Sequence, residues 1–294
     1  LKELYKMFQK AKKDKLKLRL LIEGASGSGK TWSSLLIAQE FGKKIALIDT
    51  EKGSGSLYSS VFNYDVCELK APYTPEKYIE AISFAEKENY DVIIIDSITH
   101  EWSGEGGCLD IHSNLGGYNS YTDWKKVTPR HNSFLEKILS CKCHVVATAR
   151  TKSDISIVDK ENKQGKLVKT PVKVGLKTEQ RDGLDYEFTT VLRLSHKHCF
   201  DALKDRTGVF TNREGEVLSK DHAKALIHWL LQKEVEMLRE CETLDELKGA
   251  FSLFDSHTKR WLESTKNEMK ARLKGVQPNR ATSSVSDFDG LKSN

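Results

Sequence analysis

No two cysteines in this 294-residue sequence form a CxxC pair, no internal repeat is visible, and no apolar run reaches the ~20 residues of a membrane-spanning helix. The first absence argues against zinc-ribbon and thioredoxin-like chemistry, and the last argues against a membrane protein. No leader-like apolar stretch opens the residues given, so Cys67, Cys108, Cys141, Cys143, Cys199 and Cys241 are expected as reduced thiols of a cytoplasmic protein. Cys141, Cys143 and His144 have a metal-like look, but they lead into the apolar run Val145 to Ala147 and read as strand residues. The chain is long enough to bury a core without staples. Its net charge of +5 is mild but unevenly spread: residues 1 to 19 are lysine-rich, and Lys160, Lys163, Lys166, Lys169, Lys173 and Lys177 face the single acid Glu161 across 160 to 177. Such runs suit a polyanionic partner.

Apolar segments at Leu16 to Ile22, Lys44 to Asp49, Val66 to Leu69, Val92 to Asp96 and Val145 to Ala149 alternate with amphipathic stretches such as Pro75 to Lys87. This alternation predicts an α/β fold with a mainly parallel central sheet flanked by helices. Strands over Glu187 to Ser195 and Cys199 to Leu203, with no helix between them, suggest an antiparallel finish. From about Asp221 the pattern turns helical: Thr243 and Glu246 have capping-box spacing, and Trp261, Thr265, Met269 and Leu273 stand four apart. The expected division is a basic segment over 1–15, a core over 16–219, a helical appendage over 220–274 and a disordered tail over 275–294.

The strand at Leu16 runs into GASGSGKT, which is Gly24, Ala25, Ser26, Gly27, Ser28, Gly29, Lys30 and Thr31. This is the P-loop spacing: glycines let backbone N–H groups turn toward phosphate oxygens, Lys30 reaches the β and γ phosphates, and the Thr31 hydroxyl serves a Mg²⁺ ion. ATP and Mg²⁺ are the expected cofactors. The run DVIIIDS then supplies Asp96, an acid closing a buried strand, as the metal's second partner. The strand ending at Asp49 brings two further acids to the same side of such a sheet. Of these, Glu51 has the longer reach and is assigned to the attacking water, while Asp49 is left to structural hydrogen bonding.

This order of a P-loop, then IDTE, then IIIDS resembles the RecA-type ATPases. The resemblance implies that Glu51 activates water and that Tyr58 packs on the adenine. KDRTG at 204 to 208 is similar to an element of RadA-like and replicative-helicase-like members, implying that Lys204 and Arg206 approach the nucleotide of a neighbouring subunit in a ring or filament. EWSGEGG, ATAR and VGLKTEQRDGLDYEF look like phage-encoded RecA-like ATPases of single-strand annealing and recombination, over residues 16 to 212. Where RecA itself carries a glutamine sensor, this chain has Thr148, close to Arg150, which puts the coupling of ATP to DNA in question.

Two long segments, Ile98 to Tyr121 and Thr151 to Asp185, lie where RecA-type proteins place DNA loops. Trp102, Tyr118 and Tyr121 are candidates to stack on unpaired bases, and Lys160, Lys163, Lys166, Lys169, Lys173 and Lys177 to neutralise phosphates. The expected function is a Mg²⁺-dependent ATPase that oligomerises on single-stranded DNA and promotes annealing or strand exchange in a phage or prophage setting, with a single-strand-binding protein as an accessory partner. Its rivals are a RadA-like or helicase-like motor, an annealing module in which ATP only controls assembly, and a P-loop kinase. The kinase is disfavoured by Glu51 and by the lack of an arginine-rich lid.

Overall fold

The computed structural model describes residues 16–116, 120–161 and 167–275. Its sheet contains β1 (Arg19–Gly24), β2 (Ile45–Asp49), β3 (Asp65–Glu68), β4 (Val92–Asp96), β5 (His144–Glu161), β6 (Leu167–Thr178), β7 (Thr190–Leu194) and β8 (Phe200–Asp205). The strands run in the order β3-β2-β4-β5-β1-β7-β8, and β6 pairs with the outer part of β5. Pairing is parallel from β3 through to β7, while β7–β8 and β5–β6 are antiparallel. The fold is therefore α/β with a mainly parallel sheet. Val92 to Ile95 is fully buried, as a strand covered on both faces must be, whereas all four residues of the outer strand β3 are exposed.

The helices around this sheet are α1 (Lys30–Phe41), α2 (Pro75–Lys87), α3 (Thr99–Ser103), α4 (Cys108–Asn114), α5 (Ser120–Ser140) and α6 (Lys220–Leu230). Tyr78 and Ile82 of α2 and Phe134 and Ile138 of α5 share one core with Ile93 and Ile95 of β4. Arg19, at the start of β1, is buried and donates to the carbonyls of Cys143 (2.8 Å), Leu139 (3.1 Å) and Cys141. It thereby satisfies carbonyls at and just beyond the C-terminal end of α5, which have no partner within the helix. Burial pushes its guanidinium below the usual arginine range, against the nearby thiols and Glu86. His144 Nδ1 accepts from Leu18 N at 3.0 Å, so the Cys141–His144 stretch serves as packing and strand pairing.

The chain divides after Leu230, one helix later than expected. The reason is that α6 buries Ala223, Leu226, Ile227 and Leu230 and packs on α1, so it belongs with the sheet. The second unit comprises α7 (Gln232–Arg239), α8 (Leu244–Ser252) and α9 (Ser256–Leu273), whose core joins Val235, Leu238, Leu247, Leu262 and Met269. Thr243 caps α8 by accepting from Glu246 N at 3.2 Å, while the Glu246 carboxylate turns back to Glu242 N. The basic segment 1–15 and residues 276–294 of the expected tail lie outside the described residues.

Neither expected loop is a loop. Ile98 to Tyr121 contains α3, α4 and the start of α5, and Thr151 to Asp185 is mostly a long hairpin of β5 and β6 with Thr151 opposite Thr178. Polar, glycine-bearing stretches read as loops in sequence, but the β5–β6 strands alternate Ile155 and Ile157 with polar neighbours, which is strand periodicity.

Candidate active site

The P-loop connects the end of β1 to α1. Gly27 and Gly29 adopt positive φ (76° and 89°), which gives the turn its curl. At Gly24 even a Cβ would sit 2.5 Å from Ser28 Oγ and 2.8 Å from the Leu194 carbonyl. Ser28 Oγ is buried without a protein partner, as suits a loop shaped to receive a polar ligand. Lys30 Nζ donates to the carbonyls of Gly24 (3.0 Å) and Ala25 (2.9 Å), a pose that keeps the ammonium folded over the loop. Burial pushes its pKa down, opposed by the charges of Asp96 and Glu51. The turn after β7 also reaches the loop, where His198 Nδ1 donates to Ser28 O at 3.0 Å.

Asp96 ends β4 beside this loop and is 2% exposed. One of its oxygens accepts from Thr31 Oγ1 and the other from Thr148 Oγ1. Burial raises its carboxyl pKa, and these two hydroxyls and Lys30 oppose the rise. A hydroxyl and a carboxylate held together beside a phosphate loop form the hard-oxygen donor pair that Mg²⁺ prefers, so these residues fit the metal that Thr31 and Asp96 would hold. The metal, when bound, supplies charge neutralisation at phosphate oxygens. Thr148 spends its hydroxyl on Asp96; it orients the carboxylate instead of extending toward a phosphate.

Asp49 and Glu51 differ in their surroundings. Asp49 is fully buried and accepts from Glu51 N (2.6 Å) and Gly55 N (3.0 Å), so it turns the chain leaving β2. Glu51 lies level with Ser97, which donates to its Oε1 at 3.3 Å, and is gripped by Arg150 on both oxygens. Burial alone would raise its pKa, but the Arg150 hydrogen bonds and charge, with help from His100 and Ser97, bring it below the ordinary glutamate value. Between Asp49 and Glu51, Thr50 Oγ1 accepts from Ser97 N at 2.9 Å and shares a 2.7 Å hydrogen bond with His100.

Tyr58 is half-buried in the turn after β2 and packs edge-on against Trp32 of α1, 5.6 Å between ring centroids. Lys204 and Arg206 are not brought to this chain's P-loop. Gly24 pairs with Leu194 and Leu20 with Thr190, while β8 runs back so that Thr190 faces Asp205. Lys204 is thus level with Leu21 and Arg206 lies farther back toward the start of β1, whereas the P-loop follows the strand's end. Lys204 Nζ donates to the carbonyls of Asp185 (2.7 Å) and Tyr186 (2.8 Å), and burial followed by the Arg206 charge lowers its pKa.

Of the candidates for nucleic-acid contact, Lys169, Lys173 and Lys177 are exposed on β6, and Tyr121 is 81% exposed at the start of α5. Lys160 lies on β5, while Tyr118, Lys163 and Lys166 fall outside the described residues. Trp102 is a correction. It is 9% exposed and stacks on Trp124, 5.5 Å between centroids, so its ring is spent on internal packing.

The sequence reading missed the Arg150–Glu51 fork, although Thr148 and Arg150 stand two apart on one strand and therefore share a face. It also missed a buried network in which Cys108 Sγ, His131 Nδ1 and Gln180 Nε2 all donate to Glu101, at 3.0–3.2 Å. Cys, His and Glu are metal-ligating types, yet this carboxylate already has three donors and the network ties α3, α4 and α5 together. The Cys108 thiol is pushed far up by burial and by Glu101.

An AAA domain family model matches residues 16–222. No curated protein matches the chain. The matched span takes in the whole sheet and every residue of the site described above.

Proposed function

The chain belongs to the AAA domain family of P-loop ATPases, and we propose that it is a Mg²⁺-dependent ATP hydrolase, as that membership supports, and that it assembles on single-stranded DNA. The observation that carries the hydrolase is the convergence of Lys30, Thr31, Asp96 and Glu51 at the carboxyl ends of β1, β4 and β2. Lys30 and the loop N–H groups bind and orient the phosphates, Thr31 and Asp96 hold the metal, and Glu51 accepts a proton from the water that attacks the γ phosphorus. Tyr58 and Trp32 offer aromatic surface beside the loop for the base.

The DNA reading rests on the projecting β5–β6 hairpin with its exposed Lys169, Lys173 and Lys177, which neutralise phosphates by releasing counterions. The resemblance of the sequence motifs to RecA-type phage ATPases supports annealing or strand exchange, in a host cytoplasm, with Lys204 and Arg206 serving a neighbouring subunit. Among the described residues, no helix is long and apolar enough to cross a membrane.

The test is fluorescence anisotropy on a labelled single strand across a salt series, with and without Mg²⁺ and a non-hydrolysable ATP analogue. Tight, salt-sensitive binding that strengthens with the analogue is expected; no binding in any state removes the DNA partner. A second reading, an annealing module in which ATP only governs assembly, is favoured by one observation: Thr148 is engaged by Asp96, which leaves no sensor hydroxyl free to relay phosphate occupancy. Annealing unaffected by Lys30→Ala would select it.

A further inference from the structure

The carboxylate assigned to activate water is already occupied. Arg150 Nε donates to Glu51 Oε1 at 3.0 Å, Arg150 Nη2 donates to Oε2, and Ser97 Oγ adds a third donor at Oε1. A two-pronged guanidinium–carboxylate fork is a strong, directional pair, and a carboxylate held this way is a weaker acceptor for a water proton. The fork is also accessible, since the Arg150 and Glu51 side chains are 41% and 24% exposed, so the pair can be opened without unpacking the core.

Arg150 sits at a junction. It is the last residue of β5 paired with β1, opposite Gly24, and the next residue, Thr151, is the first paired with β6. Its main chain is tied to both sides: Arg150 N donates to Thr99 Oγ1 at 2.9 Å, and Glu179 N, just past β6, donates to Arg150 O at 2.7 Å. The Glu179 charge also acts on the same guanidinium, while its Oε1 accepts from Ser103 Oγ at 3.2 Å. Any ligand that twists the hairpin at its root therefore moves the residue that holds Glu51. The exposed lysines of β6 are on that hairpin.

We propose that Arg150 is a positioning residue that clamps Glu51 in a resting pair, and that a single strand bound along the β5–β6 hairpin opens the clamp. This rests on the reading of Glu51 as the base of ATP hydrolysis. It makes hydrolysis conditional on DNA through a side chain at the hairpin root, with no need for Thr148 to act as a sensor.

Phosphate release by the full chain with Mg²⁺ and ATP, with and without oligothymidylate, tests this in the wild type, Arg150→Gln and Arg150→Lys. ATP affinity is measured separately with a fluorescent analogue. Arg150→Gln is expected to raise DNA-free kcat about tenfold, which corresponds to ~1.4 kcal/mol, with KM for ATP changed by less than about twofold. Oligothymidylate should then add nothing, and Arg150→Lys, which keeps the charge but loses the fork, should fall between. DNA-free kcat unchanged or lowered in Arg150→Gln, with ATP still bound, overturns the clamp. If Arg150→Gln is accelerated but oligothymidylate leaves the wild type unchanged, release by the hairpin is overturned while the pairing with Glu51 stands. If every form binds ATP and none turns over, the assignment of Glu51 as base fails and the clamp falls with it.

Discussion

Replacing Glu51 by Gln separates chemistry from binding and from folding. The amide preserves the length and one acceptor, so Arg150 keeps one of its two hydrogen bonds and Ser97 keeps a partner. Both members of the ion pair are partly exposed, at 41% and 24%, so weakening it costs folding only ~0–1 kcal/mol. The proton acceptor, by contrast, is lost entirely, and a positioned general base contributes roughly 10²–10⁴ in rate, equivalent to about 3–5 kcal/mol of barrier. ATP affinity should hold or tighten, because the Glu51 charge near Lys30 repels an incoming polyphosphate. Equilibrium binding of a fluorescent ATP analogue, phosphate release and thermal melting measure the three quantities on one preparation. With oligothymidylate present, so that Glu51 is free of Arg150, turnover within about threefold of wild type would remove Glu51 from the chemistry, since such a loss is well below the roughly 10²-fold a positioned base contributes. The same logic fixes a pH dependence. The Glu51 pKa is held below its ordinary value of 4.5, so the group stays ionised through neutral pH. Its stabilising pair with Arg150 is fully present above that value and is lost as pH falls through the lower folded value. An acid limb of turnover near pH 6–7 would therefore belong to another group.

Gly24→Ala forces a Cβ to within 2.5 Å of Ser28 Oγ and 2.8 Å of Leu194 O, so ATP affinity should fall by at least ~tenfold in titration while the far-ultraviolet circular dichroism is retained. Arg19→Met leaves the carbonyls of Leu139, Cys141 and Cys143 without their donor and should cost roughly 2–4 kcal/mol in urea unfolding, with ATP affinity of the folded fraction unchanged. Mixing a Lys30→Ala chain with a Lys204→Ala, Arg206→Ala chain should restore turnover, because intact P-loops then meet intact cations across a head-to-tail interface. For a random one-to-one mixture the recovery is about a quarter of the wild-type rate, one half for each requirement, and no recovery would end the neighbour-subunit role.

What was legible in the sequence is what short range decides. The P-loop is contiguous, and its glycines, lysine and threonine are needed at fixed spacing. Val92 to Asp96 reads as a buried strand because covering both faces leaves no room for polar alternation. Pro75 to Lys87 has the bounds of α2, with proline at its first turn, where a missing N–H costs nothing. The illegible parts are long-range. Glu51 and Arg150 lie far apart in sequence, as do Glu23 and Arg193, which pair across β1 and β7. Trp102 looked free because the Trp124 that covers it lies on a different helix. The helix α6 was assigned to the wrong unit because an amphipathic stripe states that it needs a partner and leaves the partner unnamed.

Lys204 and Arg206 show where local pattern and topology must be read together. The motif KDRTG specifies cations at a strand end but says nothing about which end of the sheet. Because β8 runs antiparallel to β7, Lys204 is level with Leu21 and Arg206 lies beyond it toward the start of β1; from Leu21 to Gly24 the strand rises about 10 Å, and β8 is two strands, about another 10 Å, to the side of β1. A lysine side chain reaches only a fraction of that distance. Within one chain these cations therefore cannot meet the phosphates held by Lys30, and any part they take in hydrolysis has to be played on another copy. The geometry turns a question about catalysis into one about assembly: Lys204 rests on the carbonyls of Asp185 and Tyr186, and hydrogen bonds to carbonyls could be exchanged for phosphate oxygens of another copy without breaking an ion pair.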